Sequence, residues 1–187
     1  SVGVEVANHV DSLSNDKLYE YYVFYNILWA LGNMKQKEKP NRKLSEQEFS
    51  NGTYTVEYQS TKKIEWKKNG TELFRIPDTV IKKVGEIVAM IDAKYMKSDS
   101  KTDKKSDNIK GMPDTKIVNQ MIIAMDYGDP KNRTDLGIVL FADDRKQDDV
   151  IIEKIQKHKE IHFLNMHPEN KLLMDDAFVK IKNIVGI

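Results

Sequence analysis

Four charged side chains stand where chemistry could use them: Asp78, Asp92, Lys94 and Glu20. Residues 77–81 and 86–95 read as the arms of a hairpin folded at Val84-Gly85. Because side chains alternate along a strand, Asp92 and Lys94 project on one face and Ala93 on the other. Reflection about Gly85 sets position 78 opposite position 92, since each lies seven residues away. In that register two carboxylates meet at roughly 5 Å between Cβ atoms, beside an ammonium. A slip of one residue in the turn would break the parity.

Two ionised carboxylates that close repel, and one is driven to protonate unless a cation sits between them. A hard divalent ion resolves the conflict. Mg²⁺ takes oxygen ligands octahedrally and keeps several waters, so Asp78, Asp92, the backbone carbonyl of Ala93 and water would suit it, and Mn²⁺ could replace it. Lys94 would then stand where it could orient or deprotonate an attacking water, or neutralise charge on a pentavalent phosphate. On the hairpin alone, an ordinary Asp-Lys ion pair at a strand end explains the same residues.

The elements that must position these groups are read from periodicity. Apolar residues recur at helical spacing over 16–34, with Leu18, Tyr21, Tyr22, Tyr25, Leu28 and Trp29 on one face and Val23, Phe24, Ile27 and Leu31 widening it, which predicts a largely buried helix. Glu20 is anomalous there, and a favourable charge near the positive helix end is its simplest explanation. Residues 53–58 alternate as a strand, and 64–66 should meet 73–76 across Asn69-Gly70, a strong hairpin dipeptide. The run Ile87-Val88-Ala89-Met90-Ile91 lacks polar alternation and reads as a central strand buried on both faces. Further on come a helix opened by Pro113 and ended near Gly128, a strand at 136–142, an amphipathic helix at about 148–157, a strand at 161–165 and a last helix at about 175–184.

The whole chain, with 187 residues, 40% of them hydrophobic, and Lys+Arg 30 against Asp+Glu 29, is composed as one globular domain. At this length roughly 70% of the unfolded surface can be buried without staples. Cys 0 excludes thiol nucleophiles, zinc knuckles and disulfide scaffolds. The longest apolar run, Ile87–Ile91, is far short of the roughly 20 residues of a membrane span, so no membrane partner and a cytoplasmic location are expected. With Ser at position 1, a processed end or a piece of a longer protein is expected. Between Met96 and Met112 five lysines face three aspartates, a net of +2, in a stretch nearly free of apolar residues. It reads as a mobile loop following directly on the strand of Asp92 and Lys94. Lys101, Lys104 and Lys105 there are either solvated surface lysines or candidate contacts to a polyanion such as a nucleic-acid backbone.

Ile76-Pro77-Asp78-Thr79 followed by Ile91-Asp92-Ala93-Lys94-Tyr95 resembles the signature of the PD-(D/E)xK nuclease superfamily. With Leu18-Tyr19-Glu20, Asn119-Gln120-Met121 and Leu136-Gly137-Ile138-Val139-Leu140-Phe141, the chain is most similar to the nuclease domains of McrBC-type restriction systems and their relatives. The resemblance covers about residues 16–142. It implies an α/β, restriction-endonuclease-like core, a mixed central sheet flanked by helices in the order αβββαβ, over about 14–142. Residues 143–187 then form a C-terminal α/β extension of one domain. It makes Asp78 and Asp92 the metal ligands and Lys94 the catalytic lysine. Glu20 becomes a carboxylate acting directly or through water, and Gln120 the glutamine of a QxxxY helix motif. The tyrosine of that motif is missing, because Ala124 stands four residues after Gln120 and Tyr127 comes a turn late.

The activity so implied is Mg²⁺- or Mn²⁺-dependent endonucleolytic hydrolysis of DNA within a restriction or defence system. A catalytically inactive nucleic-acid-binding or subunit-docking module on the same fold is the alternative. The chain has no phosphate-cradling glycine loop, so a nucleotide-hydrolysing motor or a specificity subunit would be a separate partner; a homodimer is compatible with the sequence. His9, His158, His162 and His167 show no zinc-like or catalytic spacing and are expected to be surface or structural. Tyr19, Tyr21, Tyr22 and Tyr25 are expected in the core rather than against bases.

Overall fold

In the computed structural model, the residues described are 14–37, 47–59, 67–68, 71–72, 77–95, 115–128, 134–142, 150–155 and 159–186. For 67–68, 71–72, 127–128 and 150–155 only the backbone is described. The first helix, α1 (Asn15–Leu31), begins at Ser14, whose side chain accepts the Lys17 N–H, and stops at Gly32, whose N–H donates to the Leu28 and Trp29 carbonyls at φ 68.

Strands β1 (Lys35–Gln36), β2 (Glu48–Ser50) and β3 (Tyr54–Tyr58) follow, then the small pair β4 (Lys67–Lys68) and β5 (Thr71–Glu72). Lys67 pairs with Glu72 and Lys68 with Thr71, on either side of the expected Asn69-Gly70; that dipeptide and the arms expected at 64–66 and 73–76 lie outside the described residues. Next are β6 (Thr79–Lys83), β7 (Glu86–Tyr95), helix α2 (Thr115–Gly128), β8 (Leu136–Ala142), β9 (Val150–Ile155), β10 (Lys159–Asn165) and helix α3 (Lys171–Val185).

Eight strands form one mixed sheet in the order β1-β2-β3-β6-β7-β8-β10-β9. The pairs up to β7 are antiparallel, β7-β8 and β8-β10 are parallel, and β9 returns antiparallel to β10. Alternation along β7 feeds two cores. Ala89, Ile91 and Ala93 pack with α1 and α3 on one face, and Met90 packs with Met121 and Met125 of α2 on the other. The fold class is therefore α/β, with helices on both faces of a mixed sheet. The C-terminal elements share this sheet and core, because β10 lies beside β8 and Phe178 and Ile181 of α3 join α1. Among the described residues no helix is long and apolar enough to cross a membrane.

Two expectations are corrected. The segment expected as an amphipathic helix at 148–157 contains strand β9, in register with β10 through Ile151–His162 and Val150–Phe163. The β-branched run Val150-Ile151-Ile152 is stiff at χ1 and fits a pleated surface better than a helical turn. On α1, the buried residues are Tyr19, Val23, Phe24, Ile27, Leu28, Ala30 and Leu31, whereas Tyr25 and Trp29 are 54% and 74% exposed. A helix apolar almost all round does not reveal its inner face by periodicity, and contact with the sheet decided it.

Candidate active site

The hairpin of β6 and β7 turns tightly. Lys83 faces Glu86 across Val84 (φ 50) and Gly85 (φ 83), both left-handed as a type I′ turn requires. That turn alone would set Asp78 across from Ile91. A bulge intervenes: Lys82 faces Ile87 but Ile81 faces Ala89, so Val88 is the extra residue and every later pair is shifted by one. Thr79 therefore faces Ile91, and the next step outward brings Asp78 to Asp92, the juxtaposition expected from the sequence. Its cause is a turn and a bulge whose offsets combine, rather than a simple reflection about Gly85.

Asp78 is buried and stands just before β6. Its Oδ2 accepts the Ala93 N–H at 2.7 Å. In a strand the carbonyl of a residue points to the same edge as its N–H, so the Ala93 carbonyl is directed to the Asp78 side as well. Burial pushes the Asp78 carboxyl up to about 8; the neighbouring Asp92 carboxylate adds to the rise and Glu20 contributes, while the Ala93 N–H opposes it. Burial of Asp78 and the nearby Asp92 charge both oppose a second negative charge on this pair, which a proton or a cation relieves.

Lys94 Nζ lies 2.7 Å from Asp92 Oδ2, and both side chains are partly open to solvent. Burial alone would lower the Lys94 ammonium, but the charge of Asp92, supported by Asp78 and Glu20, outweighs it and holds the group above the ordinary lysine range. The lysine is thus a fixed cation at the mouth of the acidic pair, and the expected ion pair and the expected cluster are both present.

Glu20 reaches this end of the sheet from α1, and its charge acts on Asp78 and on Lys94. Its carboxylate accepts from Lys17 Nζ at 2.6 Å, Tyr58 Oη at 2.9 Å and Gln59 Nε2 at 3.2 Å. Tyr58 and Gln59 were not among the expected site residues. Tyr58 was legible as the last inward position of an alternating strand, whereas nothing local distinguishes Gln59.

Gln120 lies half-buried on α2, which covers the sheet face of Met90, and therefore of Asp92 and Lys94 two and four positions on. No hydrogen bond among the described residues joins it to them. Lys101, Lys104 and Lys105 lie outside the described residues. Of the histidines with described side chains, His162 is buried against Glu160 at 3.0 Å and His167 accepts the Glu169 N–H.

Among the described residues no group of three or more His, Cys, Asp or Glu side chains is arranged to hold a metal. The groups that could hold one are the Asp78 and Asp92 carboxylates and the Ala93 carbonyl. An all-oxygen set of two acids and a carbonyl fits a hard cation that keeps most of its water. No family model matches the chain, and no curated protein matches it.

Proposed function

We propose that the chain is a divalent-metal-dependent deoxyribonuclease with a restriction-endonuclease-like core, cutting phosphodiester bonds with Asp78 and Asp92 holding Mg²⁺ or Mn²⁺ and Lys94 beside them. The single observation that carries this reading is the buried Asp78 carboxyl, tied to the Ala93 backbone and crowded by Asp92, with the Lys94 ammonium on the rim. A purely structural ion pair needs one carboxylate; the second is costly unless something positive replaces its proton. The order of helix, antiparallel strands, crossover helix and parallel strand around the site agrees with the resemblance drawn from the sequence. A restriction or defence role, a cytoplasmic location and a separate motor or specificity subunit rest on that resemblance.

The chemistry supplied by a divalent cation at such a site is acidification of water and neutralisation of charge on the phosphate. Hydrolysis forms one bond from water oxygen to phosphorus and breaks one phosphorus–oxygen ester bond; the water gives up a proton and the leaving oxygen gains one. Asp78 and Asp92 contribute ligand oxygens, and the Ala93 N–H orients Asp78. Lys94, held protonated by its carboxylate neighbours, donates to a non-bridging phosphate oxygen as charge develops there. Incubating a supercoiled plasmid with the purified chain in Mg²⁺ and in EDTA tests the proposal: nicked or linear products in Mg²⁺ alone are expected, and intact plasmid in both overturns it.

A further inference from the structure

Among the described residues three donors reach Glu20, and all bind the same oxygen, Oε2. The terminal torsion of a glutamate is otherwise broad, so three bonds on one oxygen fix the plane of the carboxylate and leave Oε1 for another partner. Two of the donors come from the end of β3. Tyr58 is buried, with its ring against Phe24 at 5.2 Å and Tyr21 at 5.4 Å, and Lys17 Nζ lies 4.9 Å from its centroid. Gln59 adopts the left-handed conformation at φ 42, which is uncommon for a residue other than glycine. Its backbone N–H donates to the Asp78 carbonyl at 2.9 Å while its side-chain amide donates to Glu20. One dipeptide therefore grips the carboxylate-bearing helix through side chains and the backbone of Asp78 through its amide.

We propose that Tyr58 and Gln59 are positioning residues that lock Glu20 through Oε2, so that Oε1 serves the Asp78–Asp92 site. This rests on reading that pair as a cation site. The strain at Gln59 supports a positioning role, since glycine would suit the backbone better but would supply no amide.

The test compares the parent with Tyr58→Phe, Gln59→Gly, Glu20→Ala and the double variant Tyr58→Phe/Glu20→Ala. It uses calorimetric Mn²⁺ titration, plasmid cleavage in Mg²⁺ and thermal unfolding. Tyr58→Phe and Gln59→Gly should each weaken Mn²⁺ binding and lower kcat by about 10-fold with the KM for DNA unchanged, as loss of groups that orient ligands does. Gln59→Gly should do so without a lower Tm, which separates positioning from general damage. In the Glu20→Ala background Tyr58→Phe should add less than about 2-fold, because residues acting through one group are not additive. Unchanged Mn²⁺ affinity in Tyr58→Phe, or the same loss with and without Glu20, overturns the proposal. A parent that binds Mn²⁺ but leaves DNA intact overturns the nuclease reading alone, and the Mn²⁺ affinities of the variants still decide the positioning role. A parent that binds no Mn²⁺ overturns both.

Discussion

Asp78 Oδ2 accepts the backbone N–H of Ala93 at 2.7 Å, so a carboxylate beyond the end of one strand is tied to the backbone of the next. The bond substitutes for the ladder contact that β6 no longer supplies. It also brings the acid to the edge where Asp92 and Lys94 stand.

The first consequence is a pH dependence of stability. Asp78 titrates near about 8 in the folded domain because of burial first, then Asp92 and Glu20, against roughly 4 in an unfolded chain. Between those values the folded state binds more protons. The contribution to stability is therefore complete below about pH 4 and is lost as pH rises through about 8. From about pH 5 to about pH 9 the parent should lose at least about 3 °C of Tm more than Asp78→Asn, which keeps an acceptor for Ala93 but cannot ionise. Mg²⁺ should reverse the loss in the parent only. Identical pH profiles for the two proteins in thermal unfolding would show that Asp78 is not perturbed.

The turn that sets the register carries removable strain. Val84 is β-branched, exposed and left-handed at φ 50, beside Gly85 at φ 83. Val84→Asn creates the Asn-Gly pair that a type I′ turn prefers and should stabilise the domain by about 1 kcal/mol, a rise of roughly 2–4 °C in Tm. Cleavage activity should be unchanged, since the register is retained. A lower Tm would contradict the turn assignment.

Helix α2 sits on the sheet at Gly137. A Cβ there would lie 2.6 Å from Met121 Cγ and 2.9 Å from the sulfurs of Met121 and Met125. Gly137→Ala should cost about 1–3 kcal/mol as the helix is forced outward, less whatever the flexible methionines absorb. Met121→Ala in the same chain should recover part of that loss, which denaturant unfolding would detect; additive losses would place the clash elsewhere.

Much of this arrangement was legible in the sequence, but for partly different reasons. Alternation identified β3, unbroken apolar runs identified β7 and β8, and the pairing of Asp78 with Asp92 followed from counting. The count worked because the extra residue at Val88 offset a tighter turn than a reflection about Gly85 implies, and a bulge has no local signature among Ile87, Val88 and Ala89. Strands β1 and β2 escaped notice because two or three residues at a sheet edge carry no period. The inner face of α1 was misjudged at Tyr25 and Trp29 since nearly every position there is apolar. Strand β9 was misread because apolar residues at 150, 151, 152 and 155 also satisfy a helical template. The grip of Gln59 on Glu20 depends on a left-handed backbone at a strand end, which only the tertiary structure defines.

Cleavage of one supercoiled plasmid by the parent and by Asp92→Ala, each in Mg²⁺ and in EDTA, tests the central claim most directly. Removing Asp92 relieves carboxylate repulsion and breaks a partly exposed pair with Lys94 worth at most about 1 kcal/mol, so Tm should stay within about 3 °C of the parent. The parent should nick or linearise the plasmid only in Mg²⁺, and Asp92→Ala should be at least about 100-fold slower, the scale of losing an electrostatic group at the reacting centre. A folded Asp92→Ala protein that cuts as fast as the parent, or a parent that leaves the plasmid intact in Mg²⁺, would contradict the assignment of Asp78, Asp92 and Lys94 as a metal-dependent phosphodiesterase site.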